Sequence, residues 1–208
     1  WRKGYGSAAI DGFNFMVNTA VPLGPNTELY AFGGRNFRDT DAYAFSRSSF
    51  ADGDNRSVPS LYPNGFTPHI TSNITDVSAS AGIRHTMKNG WVADFSNTYG
   101  SNLFHYYIKG TNNASMKDAS PTDFDAGGHS LSQNVTGLDF SKYFEEIVSG
   151  LNLAYGLEYR TEQFGIFAGE EASYALYDNN GRPIIDPVNQ SPATDSNGDP
   201  LPGGAQGF

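Results

Sequence analysis

The 208-residue chain contains no cysteine, which excludes disulfides, cysteine zinc sites and thiol catalysis while saying nothing of compartment. It has no apolar run near the roughly 18 residues a spanning helix needs. A helical membrane protein is therefore excluded. A transmembrane β-barrel is not, because every second residue of such a strand is polar. Basic residues are scarce, with 13 Lys and Arg against 22 Asp and Glu and a net charge of −9, and they do not cluster. No nucleic-acid partner is expected without that electrostatic footprint. An apolar leader is also missing: Trp1-Arg2-Lys3-Gly4 runs straight into a glycine-rich segment. The far end, Pro200 to Phe208, stops in a loop-like stretch, so both ends read as cut and the chain is expected to be an excerpt of something longer.

What is abundant points to strands. Gly (24), Phe (15) and Tyr (12) are plentiful, although only 38% of residues are hydrophobic. The most informative run is Leu151 to Arg160, LNLAYGLEYR. Strand side chains alternate faces, so Leu151, Leu153, Tyr155, Leu157 and Tyr159 share one side. Asn152, Ala154, Gly156, Glu158 and Arg160 share the other. The same alternation recurs at Gly12 to Val21, with Phe13, Phe15, Val17, Thr19 and Val21 opposing Asn14, Met16, Asn18 and Ala20. It recurs where Val77, Ala79, Ala81 and Ile83 oppose Asp76, Ser78, Ser80, Gly82 and Arg84. Trp91, Ala93 and Phe95 oppose Val92, Asp94 and Ser96, and Thr136, Leu138 and Phe140 oppose Gly137 and Asp139.

Turn chemistry divides these runs. Leu23-Gly-Pro-Asn26 and Met87-Lys-Asn-Gly90 predict tight turns, and Asn-Gly between alternating runs is a strong hairpin signal. Glu145 to Gly150 predicts a third short connection. Expected strands are Gly12–Val21, Thr27 to about Phe45, Thr71–Thr86, Trp91–Ile108, His129–Phe144 and Leu151–Ala168, with Tyr30 and Phe32 on one face. Gly33-Gly34 predicts a bulge or a close approach of backbones. Long polar connections are expected at 46–69 and 109–128, and residues 178–208 form a loop rich in Pro, Gly, Asn and Asp, after barrel strands within 1–177. Short and long connections thus alternate, the asymmetry of outer-membrane barrels. The predicted fold is all-β: an antiparallel meander of about six long strands, part of a transmembrane β-barrel. Trp91 and Tyr143, beside short turns, are expected in an interfacial aromatic girdle. A soluble β-sandwich with this alternation facing a shared core stays open.

No catalytic constellation emerges, and no enzyme activity is expected. His69, His85, His105 and His129 lack HxH or HxxxH spacing, there is no GxSxG elbow, and no phosphate-binding loop is present. Glu145-Glu146 and Glu170-Glu171 are adjacent, and strand neighbours point to opposite faces. Asp195-Ser-Asn-Gly-Asp199 has alternating oxygen groups but neither the sixth-position Gly nor the twelfth-position Glu of a calcium loop. With Asp52/Asp54 and Asp123/Asp125 it reads as a solvated turn, and no metal or cofactor is assigned. Arg84, Asp94, Glu158, Arg160 and Glu162 fall on the polar strand face. Tyr62, Phe66, Phe104, Tyr106 and Phe124 are candidate ligand contacts, with the clamping of loops together the favoured explanation.

Leu61 to Phe66 (LYPNGF), Ser96 to Tyr107 (SNTYGSNLFHYY), Ser120 to Gly128 (SPTDFDAGG), Gly156 to Glu162 (GLEYRTE) and the run Phe164 to Glu170 resemble the barrel of TonB-dependent outer-membrane receptors. The resemblance covers the chain from the first hairpin to about Tyr177. It implies an active nutrient importer in a Gram-negative outer membrane, with a plugged barrel of about twenty-two strands. The ligands implied are siderophores, haem, cobalamin or carbohydrates. The partners implied are outer-membrane lipid, the remaining barrel strands and plug, TonB through the N-terminal part, and a surface lipoprotein. Neither a plug nor a TonB-contact segment is present in this sequence, and no ligand-binding residue carries over. The alternatives are a passive porin or adhesin barrel and a secreted glycan-binding β-sandwich.

Overall fold

A computed structural model describes residues 7–206. The segment Trp1–Gly4 and the last two residues of the expected 178–208 loop lie outside the described residues. The six strands are β1 (Ala9–Gly24), β2 (Thr27–Tyr43), β3 (His69–Thr86), β4 (Val92–Lys109), β5 (Asp123–Phe144) and β6 (Leu151–Phe167). They form one open antiparallel sheet in the order β1-β2-β3-β4-β5-β6. The tight turns form where the sequence supplies turn residues. Gly90 takes φ +83°, and Met87 and Trp91 close that hairpin with an N–H to O bond of 2.7 Å. Gly150, at φ +113°, ends the β5–β6 turn after Val148 and Ser149, which also have positive φ.

Three strands, β1, β3 and β5, are longer than the alternation alone predicts, while β2 ends at Tyr43 and β6 at Phe167, slightly before the expected Phe45 and Ala168. β1 begins at Ala9 and β5 begins at Asp123 rather than near His129, so the 109–128 connection shrinks to 110–122. A register shift between His105 and Tyr107 lets Asp123, Phe124 and Asp125 pair with Lys109, Ile108 and Tyr107. Gly127 absorbs the irregularity at φ +70°. Irregular pairing hides the period-two pattern, which is why the extension escapes a sequence reading. At Gly33 and Gly34 the register runs on unbroken, so no bulge forms there. A Cβ at Gly33 would lie 2.6 Å from the Ser78 carbonyl oxygen, so the pair serves the close approach instead.

Register carries the two-faced pattern across the whole sheet. On one face Val21 shares a rung with Leu29, Ile83, Phe95, Leu138 and Leu157. This face is uncovered: Leu157 is 77% and Tyr159 71% exposed. Its apolar band is not level. On β1 it runs Phe13–Val21, and the Phe13 rung reaches β6 at Gly165 through Phe37, Thr75, Leu103 and Ser130. On β6 the band ends at Tyr159, about six residues short of that rung. With ~3.3 Å per residue and ~4.8 Å between strands, the band cuts the strands at about 40° from the perpendicular. Arg35, in register between Phe15 and Val77, and Asn97 interrupt it, and Asn97 has its Nδ2 satisfied by Asn134 Oδ1 at 2.9 Å and Thr136 Oγ1 at 2.8 Å.

Trp91 lies at the turn end of this face, 5.5 Å from Tyr155 and 6.3 Å from Phe144, ring centre to ring centre. Tyr143 does not join it. Its chain neighbours Lys142 and Phe144 take the apolar side, paired with Leu153 and Leu151, which turns Tyr143 to the polar side against Gly150. Phe140, Phe144 and Tyr155 are the aromatics that accompany Trp91.

Candidate functional site

Most charges on the polar face are paired. Tyr30 donates to Asp94 Oδ1 at 2.7 Å, Arg84 Nε donates to Asp94 Oδ2 at 2.8 Å, and the Arg84 guanidinium stands 5.3 Å from the centre of the Tyr30 ring. The ring lies over Gly82, where any Cβ would collide with it. Higher up, Asp76 accepts from Arg38 at 2.8 Å and from Asn102 at 2.7 Å. Glu162 accepts from Gln133 at 3.0 Å, and Arg160 reaches Glu158 at 3.0 Å. Arg84, Asp94, Glu158, Arg160 and Glu162 therefore do share one face, each compensated by a neighbour.

Towards the long-loop end the same face turns aromatic. Phe104 lies 4.4 Å from Tyr106 and 5.4 Å from His129, and His129 lies 6.0 Å from Phe164. The rings cross β4, β5 and β6. Of the other predicted aromatics, Tyr62 packs on Phe66 at 4.5 Å, and Phe66 and Phe124 are buried.

The long connections 44–68, 110–122 and 168–206 close over one another into a cap. Two adjacent asparagines hold it, both fully buried. Asn112 Nδ2 donates to the Arg56 carbonyl at 2.8 Å, and its Oδ1 accepts from the Val58 N–H at 3.4 Å, tying the second loop to the first. Asn113 Nδ2 donates to the carbonyls of Ala172 and Ala175 at 2.9 Å each, tying it to the third. Asn113 Oδ1 accepts from the Ser115 hydroxyl at 2.7 Å, and Ser115 Oγ accepts from the Tyr177 N–H at 3.1 Å. A small apolar cluster of Val58, Ala114, Ala193 and Leu201 completes the cap, with a residue from each loop. The Asn pair was missed from sequence because Thr111-Asn-Asn113 has the composition of a solvated loop. Its only local signal is Asn113 at the N-cap of the short 3-10 segment Ala114–Ala119.

Within the cap lies a cleft of about 450 Å³ lined by all three loops, Phe50 and Asn55 from the first, Lys117 and Asp118 from the second, and Asp195 and Ser196 from the third. Its size is that of a small-ligand pocket, and it joins an apolar floor to a few polar groups. Lys117 has φ +51° and ψ −136°, a conformation natural to glycine and costing a lysine about 1–3 kcal/mol. Its Nζ donates to Asn179 Oδ1 at 2.9 Å, and Asp118 accepts from the Ser60 hydroxyl at 2.5 Å. Near the cleft, Asp54 is braced by Arg56 at 2.7 Å. Burial pushes the Asp54 carboxyl up, but the Arg56 and backbone hydrogen bonds outweigh it and hold it below its ordinary value. Burial, and after it the nearby Asp123 carboxylate, pushes the Tyr62 hydroxyl up.

The remaining predicted groups make local pairs. Asp195 Oδ1 accepts from the N–H groups of Asn197 at 2.8 Å and Asp199 at 2.9 Å, a self-contained turn. Asp52 Oδ2 accepts from Ser49, and Asp123 Oδ1 from the Gly110 N–H. His69 pairs with Asp41, His105 with Asp125, and His85 with Thr27. Glu170 accepts from the Asp125 N–H and Glu171 from the Tyr177 hydroxyl. No family model, curated protein or solved structure matches this chain.

Proposed function

We propose that the chain is part of the wall and outer loops of a β-barrel in a Gram-negative outer membrane, within a TonB-dependent receptor that imports a nutrient. The observation that carries the reading is the tilted, uncovered apolar band. On β1 and β6 it spans Phe13–Val21 and Leu151–Tyr159, about the 9–11 residues with which a tilted strand crosses a bilayer. Its inclination of about 40° agrees with the 35–45° strand tilt of such barrels. No second sheet covers it among the described residues, whereas a soluble sandwich needs one.

Other features support the same reading. β1 and β6 are edge strands of 16 and 17 residues, long unpaired edges that a closed barrel removes. Compensated charges on the opposite face suit a wet or plugged lumen. All three tight turns lie at one end and all three long loops at the other. In this arrangement lipid meets the apolar face, further strands and a plug meet the edges and polar face, and the cap supplies a capture surface. TonB acts through a separate N-terminal part, and a surface lipoprotein sits over the loops.

The deciding experiment is fractionation of native cells, with mass spectrometry of the whole parent polypeptide. Recovery in detergent-extracted outer membrane together with plug peptides is the expected outcome. A soluble folded species would overturn the barrel, and a membrane species without plug or TonB-contact peptides would replace the receptor with a passive porin.

A further inference from the structure

We propose that the three-loop cleft binds a short zwitterionic peptide, its ammonium end at Asp118 and Asp195 and its carboxylate end at Lys117. The assignment deepens the reading of the cap as a capture surface and rests on it. The cleft holds about 450 Å³, between an aliphatic floor of Val58, Ala114 and Leu201 and a rim bearing both signs of charge. An aliphatic floor suits small side chains, and opposed charges suit a ligand carrying both.

The lining disfavours other ligand classes. Among the described residues it contains no His, Met or Tyr to ligate haem iron. One lysine beside two carboxylates repels an anionic metal chelate. Sugar sites use open aromatic faces, and of the loop aromatics Phe66 and Tyr177 are buried, leaving Phe50 alone in this cleft. The rim is also held in place before any ligand arrives. Ser60 fixes Asp118, Asn179 fixes Lys117, and two backbone N–H groups fix Asp195 through Oδ1, leaving its Oδ2 free of them. A rim ordered in advance lowers the entropy lost on binding. The left-handed Lys117 backbone belongs to this rim, where strain kept in place signals use.

The test is calorimetric titration of the purified full-length chain with trialanine, in detergent or buffer according to the fraction in which it is found. The peptide result then stands independently of the compartment result. Saturable binding is expected, weakened about tenfold by K117Q and about tenfold by D195N, each removing one charge-assisted contact. N-acetyl-trialanine amide should bind at least tenfold more weakly than trialanine. Both substitutions preserve the local hydrogen-bonding atoms, and unchanged circular dichroism and trypsin resistance would confirm an intact cap. Absence of saturable binding, equal binding of the blocked peptide, or binding insensitive to both substitutions would overturn the assignment. Binding of maltotriose in preference to trialanine would overturn it in favour of a glycan.

Discussion

The sheet and the cap solve the same problem in opposite ways. In the sheet, main-chain ladders satisfy the polar backbone, and the apolar side chains point outward, with Tyr155 and Leu157 exposed. In the cap, the most deeply buried side chains are polar, Asn112 and Asn113 among them, and the apolar cluster beside them is small. A sheet of this kind depends on what lies against its face. The cap carries its own interior, built from side-chain amides that replace the missing ladder. A buried polar network holds a unique arrangement only while every member is satisfied, so the cap should be brittle where the sheet is tolerant.

The most far-reaching expected effect is therefore in the cap. Asn113→Ala removes the partner of the Ala172 carbonyl and of the buried Ser115 hydroxyl, while the Ala175 carbonyl keeps the Gly204 N–H. A buried group left unpaired costs about 1–3 kcal/mol, so a loss of about 2 kcal/mol is expected. Limited proteolysis should then cut the third loop while the strands stay protected. Equal protection of that loop in variant and parent would remove the Asn pair from its role.

Next comes the apolar face. Leu157→Arg should cost about 2–4 kcal/mol if the face meets the bilayer interior and almost nothing if it meets water. Gln133→Arg on the polar face is the matched control. The folded, heat-modifiable fraction on a gel measures both, and indifference to Leu157→Arg argues against lipid contact. A smaller effect is expected at Gly82→Val, which drives the Tyr30 ring off Gly82 and away from Asp94. Overpacking of this kind costs about 1–3 kcal/mol, and Tyr30→Ala in the same chain should relieve the clash.

The smallest effect is one of pH. The Asp54 carboxyl is held below its ordinary 3.8, so its contribution is complete above that value and is lost as pH falls through the lower folded value. Hydrogen exchange in residues 48–58 should rise on acidification below 3.8, and Asp54→Asn should abolish that dependence. The same acid dependence in Asp54→Asn would remove the carboxylate from this role.

The difference between the regions also explains what could be read in advance. Period-two alternation and the Asn89-Gly90 turn are local, so the six strands, their order and their two faces were legible. Legibility failed where a neighbour strand decides. Asp123–Asp125 is strand because Lys109, Ile108 and Tyr107 offer partners across a bulge. In the cap almost nothing was legible beyond loop composition. Tyr62 and Phe66 were noticed as aromatics, while Lys117 and Asp118 come from the second loop and Asp195 from the third, and they meet only when those loops close.

What the chain determined by itself is an amphipathic antiparallel meander, since alternation and turn chemistry act between residues close in sequence. What tertiary structure alone decided is the inclination of the apolar band, the inward turn of Asn112 and Asn113, and the three-loop cleft. Those depend on rungs and hydrogen bonds between residues far apart in the chain, such as Asn113 and Ala175. No local pattern encodes such partners, because a side-chain amide that finishes as core looks, in sequence, the same as one left in water.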